Sequence, residues 1–330
     1  MSLRVRSDLL PEDRHARHAR LRDYFCDKDA TATRVNGEWE LELNWPDSIE
    51  RYVDIRIEQH LARWPGIGLS GMAVARRRTG RVLTSLYDTW SLLTWSEWAA
   101  RAKPSPDAPI TILHVDDHQD LMSPRLADEG NGSVDMITGA PFDVWDPESV
   151  LRACESGAVG MGSFLTPFLR AFERCDVRQL CQPPKVTGTL DHAFFPVMRS
   201  DDLLRPGANR PGIGLEVTKG TGPGRYRATN SLSDWLANIG EGPVLLHVDM
   251  DYFNNRYDGD GDWTDRMRRH DPSSEQVLSH IDEVTAAVRS AGLIERIEDA
   301  AVAFSPGFFP AELWQPAEAR LRAGLSRLYE

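Results

Sequence analysis

Two segments of this chain share one ending. "TILHVDDHQD" (residues 111–120) and "VLLHVDMD" (residues 244–251) each run apolar and then close on His-Val-Asp. Continuous apolar runs of this length are typical of strands buried on both faces of a parallel sheet. Carboxylates crowded at the end of such a strand repel one another and resist losing water, so positive charge is needed among them. Side chains two apart on an extended strand point the same way. Asp116, His118 and Asp120 can therefore converge, as can Asp249 and Asp251. If the two strands lie side by side, one imidazole and four carboxylates meet at one carboxyl edge. That set exceeds what one tetrahedral zinc requires. It suits a pair of hard, roughly octahedral ions bridged by carboxylates, with manganese the best candidate. A single DxD is more often a cap or turn; two such endings on two buried strands favour metal.

The remaining pattern places these strands in a fold. "DPESVLRACESG" reads as a helix opened by Asp146 as cap and Pro147 in the first turn. "DPSSEQVLSHIDEVTAAVRSAG" reads as an amphipathic helix with Val277, Ile281, Val284 and Val288 on one face, ending at Gly292. "DAAVAFSPGFF" reads as a third strand and a loop. Strand, helix and strand in that order imply right-handed parallel crossovers. The predicted class is α/β: three layers, a mainly parallel sheet with helices on both faces, and ligands at the carboxyl ends of strands. Residues 109–330 would form this core, with residues 1–108 an N-terminal β-hairpin elaboration packed on it. In that elaboration, "TATRVNGEWELELNW" places Asn36-Gly37 between alternating segments, a type I′ hairpin signal. "GMAVARRRTGRVLTSLYD" reads as a second strand pair turning at Thr79-Gly80, with Arg76, Arg77 and Arg78 on a solvated turn, and "SLLTWSEWAARAK" reads as a helix. The Gly- and Pro-rich stretch from roughly Pro183 to Gly242 reads as long loops over the site.

Composition narrows the partners. A net charge of −12 argues against a general nucleic-acid binder, which needs a basic footprint. No run of apolar residues is long enough to span a membrane, and the N-terminus breaks its short apolar run with Asp8, Pro11 and Glu12, unlike a secretory signal. Cys26, Cys154, Cys175 and Cys181 lack CxxC spacing and read as reduced thiols, so a cytoplasmic location is expected.

The pair Asp116-x-His118-x-Asp120 and Asp249-x-Asp251 resembles the metal motifs of the ureohydrolase superfamily, the arginases and agmatinases, which share their fold with the zinc deacetylases. The resemblance implies two manganese ions, with Asp116 and Asp249 bridging them, His118 and Asp251 on one ion, and Asp120 on the other. A further upstream His completes the set in that family. The chain looks most like an atypical branch in which a segment of the form "DHxxALxxW" precedes the first metal strand. Here "YDTWSLLTW" fits that frame, with Leu92 and Trp95 in register and Asp88 where the His would be, so Asp88 is carried over as a ligand. "GAVGMGSFLTPFL" and "AFSPGFFP" also look like this branch, and the resemblance spans Val82 to Pro310. Some members look like peptide arginases, which convert arginine side chains of ribosomally made precursor peptides into ornithine.

What the resemblance implies is hydrolysis of a guanidinium to urea and an amine, with an arginine-containing peptide as partner. Asp120 would bind metal and also aim the attacking water. Five aspartates against two divalent ions leave about −1, which favours a cationic guanidinium over a neutral amide. His114 and His247 lie one layer deeper on the same strand faces and read as groups that orient the ligands. His192, in "TLDHAFFPV", is the candidate proton shuttle. The loop "LMSPRLADEGNGSVDMITGAP" lacks the motif that reads a free amino acid's α-carboxylate and α-amine, which suits peptide-bound arginine. "VAFSPGFF" does not supply the glutamate that usually receives the guanidinium. Asn131, Ser133 and Ser305 are candidate substrate contacts. "NNRYDGDGDWTD", with Asp258, Asp260 and Asp262, lacks the glycine and glutamate of a calcium loop and reads as an acidic surface loop. Two rival functions are hydrolysis of a small guanidino compound or acylated amine, and a metal-stabilised module that adds a peptide strand to its hairpins.

Overall fold

Residues 3–44 form a small antiparallel sheet and one helix: β1 (Leu3–Arg6), α1 (Arg14–Phe25), β2 (Asp29–Val35) and β3 (Glu38–Asn44), in sheet order β1-β3-β2. Asn36 and Gly37 join β2 to β3 with φ of 53° and 86°, the left-handed conformation a type I′ turn demands. Leu21, Tyr24 and Phe25 of α1 bury against Trp39 and Leu41 of β3, and Leu203 from far along the chain closes this small core. The Tyr24 hydroxyl, donating to the buried Asp201 carboxylate at 2.7 Å, ties it to the rest of the protein. The computed structural model describes residues 3–105, 107, 109–130, 132–218, 224–257 and 271–330. The expected acidic loop with Asp258, Asp260 and Asp262 lies outside them, as does Asn131.

The main body follows from α2 (Ile57–Leu61) through β4 (Arg76–Thr79), β5 (Val82–Ser85), α3 (Trp90–Ala102) and β6 (Thr111–Val115). Three short strands come next, β7 (Leu126–Asp128), β8 (Ser133–Asp135) and β9 (Pro141–Phe142), then α4 (Pro147–Ser156) and α5 (Leu165–Ala171). After these come β10 (Asp176–Leu180), β11 (Thr189–Ser200), β12 (Asn209–Val217), β13 (Arg225–Thr229) and α6 (Leu232–Leu236). The chain closes with β14 (Val244–Asp249), α7 (Ser274–Ser290), β15 (Ile297–Ala303) and α8 (Trp314–Gly324). Buried apolar residues of the main core begin at Tyr52, while Leu203 packs with the small sheet.

A 12-stranded sheet takes the order β4-β5-β15-β14-β6-β10-β13-β11-β12-β7-β8-β9. Its centre, β5-β15-β14-β6-β10-β13, is parallel, and every pairing outside that block is antiparallel. The sheet is thus mixed around a parallel centre. Helices cover both faces of that centre. Trp95 of α3 meets the His247 ring on one face, while Arg178 of β10, which alternates to the other, donates to the Ala237 carbonyl at the end of α6. The helix ends behave as their residues require. Asp146 accepts from Glu148 N–H at 3.1 Å, with Pro147 in the first turn, and Gly157 ends α4 at φ 81°. Ser273 and Gln276 form a reciprocal capping box on α7, which buries Val277, Ile281, Val284 and Val288.

Two expectations are corrected. The stretch from Pro183 to Gly242 is not only long loops: it carries three strands of the large sheet, β11, β12 and β13, with Gly212 and Gly214 inside β12. A Cβ on Gly214 would approach the Phe195 ring to 2.6 Å, so β12 needs glycine under that side chain. Arg76, Arg77 and Arg78 form the edge strand β4 and are engaged rather than solvated. Arg76 stacks over Trp90, Arg77 pairs with Glu318 at 2.6 Å, and Arg78 reaches the buried Asp299 at 3.3 Å. The four cysteines are free. Among the described residues, no helix is long and apolar enough to cross a membrane.

Candidate metal centre

β6 and β14 are neighbours and parallel, with His114 opposite His247, so Asp116 and Asp249 leave the sheet side by side. Beneath them the two imidazoles stack at 4.9 Å with Nδ1 atoms 2.9 Å apart. Their protons can be assigned from their partners. His114 Nε2 lies 3.2 Å from the His118 carbonyl, which only accepts, so His114 carries its proton there. His114 Nδ1 is then a lone pair, and His247 Nδ1–H donates to it. His247 Nε2 is left as a buried acceptor with no partner. Burial keeps both rings neutral, lowering His114 to about 4 and His247 well below the ordinary range.

Above this layer the chain turns back on itself. Asp120 has φ 56°, a left-handed conformation uncommon outside glycine, and its Oδ2 comes 3.6 Å from His114 Nε2. His118 Nδ1 sits 2.9 Å from Asp251 Oδ2 and 3.6 Å from Asp116 Oδ1, which also accepts the His118 N–H at 2.6 Å. Two overlapping sets result: His114, Asp116, Asp120 and His247, and Asp116, His118 and Asp251. Within each, one ligand atom per residue lies within 4.8 Å of all the others, and either set could hold a metal ion, the first once the protons of the His114–His247 pair rearrange to free a ring nitrogen. Asp116 belongs to both. Asp88 and Asp249 belong to neither set yet stand beside them, since each raises the carboxyl of the other or of its neighbours. Asp249 Oδ2 accepts from Ser305 Oγ at 2.5 Å and its Oδ1 from Asp251 N–H at 3.1 Å.

The charge balance points to a cation. Burial, then mutual repulsion, pushes the carboxyls of Asp88, Asp116, Asp120 and Asp249 well above the ordinary carboxylate range. Burial opposes a proton on His118, but Asp251 and Asp116 outweigh it and hold the imidazole up at about 12. Asp88 Oδ1, Asp116 Oδ2 and Asp120 Oδ2 are buried without a hydrogen-bond partner. Buried carboxylate oxygens left bare are costly, and a cation held by Asp116 and Asp120 could satisfy two of the three. The donors of the two sets are carboxylate oxygens and imidazole nitrogens, with no thiolate among them.

Other expected residues fall elsewhere. Ser305 is an anchor for Asp249 and sits at φ 41°. His192 lies on β11, not in a loop, level with Ile112 and three strands from β6. That is about 14 Å across the sheet from the centre and below its edge, too far for direct proton transfer. Ser133 lines a cleft of about 570 Å³ near the far edge of the sheet, with Arg152 and Arg170, which none of the cluster residues lines. Three further residues support the cluster, of which Gln179 and Tyr226 had no motif to mark them while Phe308 lies in "AFSPGFFP". Gln179 of β10 donates to the carbonyls of Asp116 and His118 at 3.2 and 2.5 Å, and Tyr226 donates to Gln179 Oε1 at 3.0 Å. Phe308 packs edge-on to His118. Asp117, between two cluster residues, turns away to pair with Lys185 at 3.0 Å. No protein-family model and no curated protein sequence matches this chain.

Proposed function

We propose that this chain is a binuclear manganese hydrolase of the arginase/deacetylase-like class that cleaves the guanidinium of peptide-bound arginine to ornithine and urea. The observation that carries the reading is the pooling of carboxylates from two adjacent strand ends, two of them with a bare buried oxygen. Two bound divalent ions would supply Lewis acidity and make water a nucleophile at neutral pH. Asp116, common to both ligand sets, is the residue to bridge them; His118 and Asp251 complete one position. Asp120, turned back by its left-handed backbone, is placed to aim the water, and Gln179 holds the loop that carries it. Asp249 would share the bridging with Asp116 and Asp88 would be a further ligand, and together the carboxylates leave negative charge that favours a cationic substrate. Met122, 51% exposed and two residues past Asp120, and Phe308 beside His118 offer an apolar rim for the residues flanking a peptide arginine.

The test is metal analysis of the purified chain together with mass spectrometry of an arginine-containing peptide. Bound manganese, release of urea and a peptide mass loss equal to HN=C=NH are expected. Asp116→Ala should abolish turnover; turnover that survives it would remove Asp116 from the mechanism. A chain that binds manganese and releases neither urea nor an amine from any candidate would be a metal-stabilised binding module instead.

A further inference from the structure

The cleft of about 570 Å³ lined by Ser133 is a formed cavity that the metal cluster does not use. Its volume falls in the range of roughly 300–1,000 Å³ usual for ligand pockets. Leu126, Phe142, Val144, Pro167 and Pro211 give it apolar walls, and Arg152 from α4 and Arg170 from α5 line it beside them. Asp143 and Asp146 also line it, so it is neutral overall in a chain of net charge −12.

The two guanidinium groups are loosely held. Arg152 comes 3.9 Å from Asp146 and Arg170 comes 3.7 Å from Asp128, both beyond hydrogen-bond range. Among the described residues, neither guanidinium donates a hydrogen bond to the protein. The Arg170 side chain is only 25% exposed, so water reaches its donors poorly. The neighbouring acids are engaged by backbone instead. Asp146 accepts Glu148 N–H at 3.1 Å, Asp143 accepts Trp145 N–H at 2.9 Å and Asp128 accepts Gly130 N–H at 2.9 Å. Planar donors left open beside apolar walls match a carboxylate carried on a chain with some apolar surface.

Two segments run from the metal centre to this cleft. Leu126 follows Asp120 by six positions, and Pro167 follows Gly162, whose N–H approaches Asp88 at 3.4 Å, by five. A chain spans at most about 3.6 Å per residue, so both walls lie within roughly 22 Å of the cluster. About six residues of an extended peptide cover that distance. Met122, exposed along the first segment, lies on the way.

We propose that this cleft binds an acidic segment of the peptide substrate, within about six residues of the arginine that the metal centre receives. This rests on the hydrolase reading for the peptide's being a substrate. Binding of the acid is separable from cleavage, and the test uses that separation.

Fluorescence anisotropy of labelled peptides on the manganese-loaded full chain measures the preference for acid. The probe is a glycine-serine peptide with citrulline in the arginine's place, so that nothing is cleaved, and glutamates three to six positions away on both sides. Its twin carries glutamines. A net charge of −12 repels acid in general, so a preference for the glutamate peptide requires a local site. Wild type should prefer it by roughly tenfold, the order expected of one charge-assisted hydrogen bond. Arg152→Gln and Arg170→Gln should each lose most of that preference, with manganese content and affinity for the glutamine twin unchanged. The Arg152 side chain is 50% exposed, so its variant reads the cleft even if Arg170→Gln fails to fold. No preference in wild type, or one that survives in Arg152→Gln, overturns the proposal. Displacement of the peptide by free glutamate at the same concentration would mark a pocket for small acids and overturn it too. A preference that depends on these arginines, with no urea released from the arginine form of the peptide, would keep the cleft and remove the hydrolase reading.

Discussion

Ser305 shows how one hydroxyl can set a metal site. It takes φ 41° at the end of the third parallel strand and donates to Asp249 Oδ2 at 2.5 Å, leaving that carboxylate little freedom. Partners that orient ligands typically contribute 10–100-fold to metal affinity. Ser305→Ala keeps the backbone strain and removes the hydroxyl, so manganese affinity should fall by about that factor in a calorimetric titration; an unchanged affinity would show Asp249 to be held by other means. At this scale, Asp116, His118, Asp120 and Asp251 were legible as acids and an imidazole crowded just past two buried strands, but β6 ends at Val115 and Asp120 is left-handed, so the turns after the strands, not alternation along them, bring these side chains together. Gln179 was not: it is an isolated polar residue in an ordinary stretch, and only the pairing of β10 with β6 gives it a role.

Among the elements, α7 was the easiest to read and is the easiest to test. Its apolar stripe faces inward as the 3.6-residue period requires, and Ile281 is fully buried. Ile281→Ala should cost about 2–5 kcal/mol in denaturant unfolding while manganese stoichiometry stays the same. A loss of metal binding along with stability would mean that α7 supports the centre directly. Of the parallel strands, β6, β14 and β15 were equally legible, since continuous apolar runs leave few alternatives, whereas β10 and β13 carry charged residues and were not read as strands. β11 and β12 were not: their glycines and prolines match loop composition, and the packing of Phe195 over Gly214 that requires them is a cross-strand contact. The arginines of β4 failed as a solvated turn for a similar reason, because Glu318 and Asp299 come from the opposite end of the chain.

For the whole molecule, charge and pH should act together. The raised carboxyls of Asp88, Asp116, Asp120 and Asp249 make the metal-free folded state bind more protons than the unfolded chain at pH values above the ordinary carboxylate pKa. Stability of the metal-free chain from these groups therefore falls as pH rises. Manganese binds the ionised form and releases those protons, so its stabilisation should grow with pH. The buried neutral His114 and His247 weaken the fold on acidification whether or not metal is bound, and so cancel in the comparison. The rise in Tm on adding manganese should be larger at about pH 8 than at about pH 5.5; a pH-independent rise would place the metal outside this cluster. The sequence by itself determined the α/β class, the strands β6, β14 and β15 and the acids that follow two of them, because burial acts locally along the chain. Only the tertiary structure decided that β6 and β14 are neighbours, that β10 and β13 extend the parallel centre, and that His192 lies strands away. Those are contacts between distant segments, set by which surfaces pack together, and local sequence pattern does not encode them.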